Sequence, residues 1–187
     1  MARILDVYCE ILKAAIALCL AATYPERVRS LTAISVPHPR ALGLALRVRP
    51  TQRARFVYQA FFRSPGSERA LLAGNGALLK AMMRAIGERA GLYADAMREP
   101  GRLTGGLNWY RALSAKALGG MGVITVPTTY VWSDHDPVFR VTAALKTADW
   151  VQADYQLVAM RDIGHWVPEE APKATADAVI RRVTGKA

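Results

Sequence analysis

The feature that most restricts the fold lies in the last third of the chain, where strand and helix patterns take turns. Val126 to Trp132 reads as a buried strand, Val138 to Val151 as a helix, Tyr155 to Met160 as a second strand and Ala171 to Val183 as a closing helix. Strands joined through a helix of this length pair in parallel, because the crossover must travel back along the sheet. An earlier run, Ser30 to Val36, is rich in β-formers and stops at Pro37, which with Pro39 brackets His38 in a loop. The expected class is therefore α/β, with a short parallel sheet of about three strands and flanking helices.

In such a sheet, chemistry gathers in the loops beyond the carboxyl ends of the strands. One of these loops is S-D-H-D-P at 133–137 and the next holds D-I-G-H-W at 162–166. Asp136 and His165 thus sit on consecutive strand-end loops. A carboxylate that accepts the Nδ1 proton of an imidazole fixes its tautomer and leaves Nε2 to take a proton from water or a hydroxyl. Asp136 is also placed to cap the helix that starts near Pro137. Asp134 is the rival acid, ranked second because it lies nearer the strand end, where its side chain suits a turn.

Upstream, residues 5–23 carry apolar groups around most of a helix circumference, and Pro25 ends that helix by disfavouring helical geometry at Tyr24. Residues 40–118 hold several helical patterns broken by glycine and proline and read as an all-helical insertion, the lid. The domain division is then 1–39 with 119–187 for the sheet-bearing core, and 40–118 for the lid.

Charge and cysteines narrow the partners. The net charge is +10, from 25 Lys plus Arg against 15 Asp plus Glu. The arginines are scattered, apart from Arg47, Arg49, Arg53 and Arg55, and no nucleic-acid motif accompanies that patch, so it reads as a solvated face and no nucleic-acid partner is expected. The apolar run Ala14 to Ala22 is far short of the roughly 20 residues a membrane span needs. Cys9 and Cys19, on one helix, would lie about 15 Å apart, beyond bridging reach, so both are expected to stay thiols, as a reducing cytoplasm allows. No metal site or cofactor is expected.

The stretches V-P-T-T-Y-V-W-S-D-H-D-P and G-H-W-V-P-E-E-A-P resemble the acid and histidine blocks of the α/β-hydrolases, whose chain order is nucleophile, acid, histidine. Asp136 falls at the acid and His165 at the histidine; Ser133 stands where the family usually has glycine. Y-P-E-R-V-R-S-L-T-A-I-S-V-P-H-P is similar to the helix and strand after the nucleophile turn in epoxide hydrolases. F-V-Y-Q-A-F-F-R-S-P-G and G-G-L-N-W-Y-R are similar to the two lid segments that each supply a tyrosine there. The resemblance implies a partial α/β-hydrolase fold and makes Tyr58 and Tyr110 donors to an epoxide oxygen. Phe61, Phe62, Trp109 and Trp166 become walls of a pocket for a small apolar molecule.

The same resemblance implies an attacking Asp in a turn such as G-H-D-W-G. Counting back, this chain has C-E-I-L-K at 9–13, with Ile11 at that position. Catalysis is then expected to be impaired. The alternatives are a non-catalytic apolar-ligand or interaction module, or half of a split hydrolase. With about three of the family's strands, the sheet is expected to expose the edge of Ser30–Val36 and to self-associate through it.

Overall fold

The computed structural model describes residues 5–113 and 119–185, and the side chains of residues 10–12 lie outside that description. Its elements are β1 (Leu5–Glu10), α1 (Ile11–Thr23), β2 (Val28–Ile34), α2 (Pro39–Val48), α3 (Pro50–Ala54), α4 (Val57–Arg63), α5 (Ser67–Met82), α6 (Arg89–Ala96), α7 (Arg102–Ala112), β3 (Thr128–Ser133), α8 (Val141–Lys146), β4 (Tyr155–Met160), α9 (Val167–Glu170) and α10 (Pro172–Thr184). Two compact units result: Met1–Arg55 with Ala115–Ala187, and Phe56–Ser114. Residues 40–55, expected within the lid, group with the sheet.

The first unit carries a wholly parallel sheet in the order β1-β2-β3-β4. It has four strands where about three were expected. The added strand, Leu5–Glu10, occupies the start of the stretch read as a helix; a short apolar run does not distinguish a strand from a buried helix, and pairing decides. β1 runs in register with β2 from Asp6 opposite Ser30 to Glu10 opposite Ile34. The Asp6 carboxylate accepts bonds from Ser30 Oγ at 2.7 Å and Arg29 Nε at 2.9 Å, and the Arg29 bond holds its pKa below the ordinary value. The edge of Ser30–Val36 is consequently not open: β2 is flanked by β1 on one side and β3 on the other. Among the described residues, β1 and β4 are the edges.

β2 and β3 are almost continuously buried, as strands covered on both faces must be. Ile34, Val131, Met160, Val167 and Ala178 form one core cluster, with Val158, Ile163 and Ala171 packed against it. Burying aliphatic side chains of this size contributes roughly 1.5–3 kcal/mol each, and it ties α9 and α10 to the strands whose ends carry Asp136 and His165.

His38, in the loop after β2, is fully buried. Its Nδ1 accepts the Arg40 N–H at 3.3 Å, so Nε2 carries the proton and donates to the Gly122 carbonyl at 3.1 Å. The ring stacks on Trp150 at 5.4 Å between centroids. Burial, helped by the Arg40 charge, pushes its pKa down to about 4. Unfolded His38 protonates near 6.5 and the folded residue only near 4, so in that window the unfolded chain binds more protons. This part of the stability is complete above about pH 6.5 and is lost as pH falls toward 4, by roughly 3 kcal/mol at most. We expect His38→Gln to be less stable than the parent at about pH 7.5 and to close that gap by about pH 4.5, measured as the difference between their urea midpoints.

The second unit is helical, with a core of Phe62, Leu71, Leu103 and Leu107. Arg63, at the end of α4, donates from Nε to the Tyr110 carbonyl and from Nη2 to the Leu113 carbonyl, each at 2.8 Å. It thereby satisfies carbonyls that the end of α7 leaves without helical partners. Gly66 and Gly101 precede α5 and α7 with φ of 83° and 80°, a left-handed entry that a side chain would strain.

Candidate active site

Pairing of β3 with β4 runs from Thr128 opposite Tyr155 to Ser133 opposite Met160, so both strands end side by side and release their loops together. Asp136 follows β3 and His165 follows β4. His165 Nδ1 donates to Asp136 Oδ2 at 2.9 Å, which leaves the ring lone pair on Nε2. The other oxygen, Oδ1, accepts the N–H groups of Val138 at 2.6 Å and Phe139 at 3.0 Å. The helix expected to start near Pro137 begins only at Val141, with Arg140 before it, so Asp136 does not cap it and Oδ1 closes the turn at Val138 and Phe139 instead. The Asp136 side chain is inaccessible to solvent and that of His165 is 13% exposed. A hydrogen bond to a carboxylate this well covered acts through a low effective dielectric and is correspondingly strong. Asp134, the rival acid, is exposed and accepts the Asp162 N–H at 2.8 Å, so it tethers one loop to the other.

Each loop is anchored residue by residue. Trp132, buried in β3, donates from Nε1 to the Phe139 carbonyl at 2.9 Å. Gln52 of α3, fully buried, donates to the Val138 carbonyl at 2.7 Å and accepts from the Arg140 N–H at 3.0 Å. Arg55 adds a bond to the Pro137 carbonyl. The histidine loop is held by Ser133 Oγ on the Gly164 carbonyl at 2.5 Å and by Ser35 Oγ on the His165 carbonyl at 3.1 Å. Glu170 accepts from the Gly164 and Trp166 N–H groups, and the His135 N–H reaches the Ile163 carbonyl at 3.2 Å.

Ser35 is itself held in a left-handed conformation, φ 66°, and its carbonyl accepts the buried Tyr130 hydroxyl at 2.8 Å. Burial, then the Asp136 charge and Tyr155, push the Tyr130 phenol well above its usual range, so it remains a donor. Non-glycine residues with such backbones cluster at functional sites. Phe139 and Trp166 lie 5.9 and 5.8 Å from the His165 ring centroid, Trp166 edge-on.

In the second unit Tyr58 and Tyr110 meet edge to face at 6.1 Å, and Phe62 lies 5.2 Å from Tyr58 and 4.9 Å from Tyr110. Burial and the Tyr58 neighbour raise the Tyr110 pKa, so the phenol stays protonated. Phe61 is half-buried in the same cluster, whereas Trp109 is 45% exposed and does not belong to it. Ile11, the expected nucleophile position, is the first residue of α1, at the junction with β1; its side chain is outside the described residues. A cavity of about 590 Å³ lies in the first unit, lined by Tyr8, Cys9, Lys13, Ile34, Pro168 of α9 and residues of α10. Trp166, the one expected wall residue in this unit, is not among its lining residues.

Sequence reasoning missed Gln52, Ser35, Tyr130 and Glu170. Gln52 sat inside a run of arginines read as a solvated face; only the break at Pro50 hinted at a separate element. Loss of the Gln52 side chain leaves one carbonyl and one N–H of the acid loop without protein partners. We expect Gln52→Ala to cost about 1–3 kcal/mol by urea unfolding, against less than about 0.5 kcal/mol for Arg53→Ala on the exposed side of the same helix.

The family model for the alpha/beta hydrolase fold matches residues 14–172. The chain is 31% identical over 169 residues to AB hydrolase superfamily protein YfhM of Bacillus subtilis, covering 84% of this chain and 58% of that protein. It is 28% identical over 209 residues to epoxide hydrolase A of Mycobacterium tuberculosis, covering 87% and 63%. It also superposes on the crystal structure of Bacillus megaterium epoxide hydrolase in complex with an inhibitor, with a TM-score of 0.83 at 18% identity, covering 97% of this chain and 69% of that one. The chain therefore spans about three fifths of the length of these curated relatives.

Proposed function

The chain belongs to the α/β-hydrolase fold family, and on that premise we propose that its chemistry is hydrolysis of an epoxide on a small apolar molecule, with the step that needs a nucleophile impaired. The bond from His165 to Asp136 carries the reading, since a covered carboxylate that fixes the imidazole tautomer is what a water-activating base requires. In the full reaction a carboxylate oxygen attacks a ring carbon, the ring C–O bond breaks, and the released oxygen takes a proton from Tyr58 or Tyr110. His165 then removes a proton from water as it attacks the resulting ester, the ester C–O bond breaks to free the carboxylate and a diol, and the proton held by His165 returns through solvent to the tyrosinate. Ile11 stands at the position of that carboxylate and cannot form the ester. Loss of a nucleophile that acts as part of a unit costs roughly six orders of magnitude in turnover.

The test is a chromogenic epoxide assay on the parent chain, on Ile11→Asp and on Ile11→Asp combined with His165→Gln. We expect slight turnover by the parent, at least about a hundredfold more by Ile11→Asp, and return to the parent level in the double variant. Parent turnover that is already rapid and indifferent to His165→Gln would overturn the reading.

A second reading, a module that binds an apolar ligand without turnover, is favoured by the cavity beside β1. Thermal stabilisation by the diol or an apolar amide, with no turnover in any variant, would decide for it. We also propose a reducing, cytoplasmic setting, which suits two cysteines kept as thiols. Among the described residues no helix is long and apolar enough to cross a membrane. Self-association, if it follows from an open strand, involves β1, where Leu5 and Tyr8 are 51% and 65% exposed. Light scattering across a wide concentration range is expected to show a rising mean mass that Tyr8→Lys suppresses.

A further inference from the structure

We propose that Glu170 is a positioning residue for His165: its carboxylate grips the backbone on both sides of the histidine and holds the imidazole on Asp136. This deepens the reading above and rests on His165 being the base. The Glu170 oxygens divide the work. Oε2 accepts the Gly164 N–H at 2.8 Å and Oε1 accepts the Trp166 N–H at 3.1 Å. Glu170 closes α9, and its own N–H donates to the Trp166 carbonyl at 2.9 Å, so residues 166 and 170 bond reciprocally. This is the logic of a capping box set one residue further along.

Gly164 supplies an independent observation. Its φ is not in the left-handed region, so its backbone conformation does not demand glycine. A Cβ built there would lie 2.8 Å from Oε1 and 3.0 Å from Oε2 of Glu170, closer than such atoms approach. A side chain at 164 would therefore have to displace the carboxylate. Ser133 and Ser35 hold the carbonyls of Gly164 and His165, and Glu170 holds the N–H groups of Gly164 and Trp166. With all four groups engaged, the peptide carrying the imidazole has one position. Without the carboxylate two charge-assisted bonds are lost and the ring is free to leave Asp136. A displacement of about 1 Å is enough to disable a general base.

The test reads the proton that His165 Nδ1 donates to Asp136, which gives a far-downfield line in the proton NMR spectrum independent of turnover. Asp136→Asn assigns the line by removing it. Glu170→Ala, folded by circular dichroism, is expected to lose the line. Glu170→Gln, which keeps one acceptor, is expected to retain a weakened line. Gly164→Ala is expected to push the carboxylate aside and copy Glu170→Ala, and to add nothing in the Glu170→Ala background. A parent-like line in Glu170→Ala or, should that variant not fold, in Gly164→Ala would overturn the proposal. So would additive effects in the double variant, or a parent protein with no such line. Failure of the epoxide assay with the downfield line intact would sink the functional reading and leave the clamp standing.

Discussion

Everything at the active edge depends on one bond, His165 to Asp136, made between residues that belong to different loops and 29 positions apart. No local preference could bring them together. The parallel register of β3 on β4 does so by ending both strands at the same level, with Ser133 opposite Met160. The buried cluster of Ile34, Val131, Met160, Val167 and Ala178 holds that register from one face of the sheet.

Two polar side chains then finish what the sheet begins, and their chemistry matches their tasks. The acid loop offers a carbonyl at Val138 and an N–H at Arg140, and Gln52, an amide with one acceptor and one donor group, serves both. The histidine loop offers two N–H groups, at Gly164 and Trp166, and Glu170, a carboxylate with acceptors only, serves those. Exchanging the two residue types would leave a group of each loop without a partner.

The alternation of strand and helix after Gly122 was legible because β3 is buried along its whole length and rich in β-branched and aromatic residues, and because β4, at the edge, lies at Tyr155–Met160 as read. Asp136 and His165 were legible because the ends of such strands are where polar loop residues converge. β1 was not, since its six residues lead into a helix with no glycine or proline between them, and the division is set by pairing to β2. Ser133, noted as a departure from glycine, holds the Gly164 carbonyl. Gln52 and Glu170 escaped notice because a polar residue among charged neighbours looks solvated until the fold buries it or turns it back on the main chain.

Ser35 shows where local comfort and order at the active edge part company. A non-glycine residue in its left-handed conformation costs about 1–2 kcal/mol, which glycine would avoid. Glycine, however, has no hydroxyl to hold the His165 carbonyl. Glycine at 35 would relax the backbone and release the loop that carries the imidazole, so relief of strain and order in that loop are competing outcomes at this position.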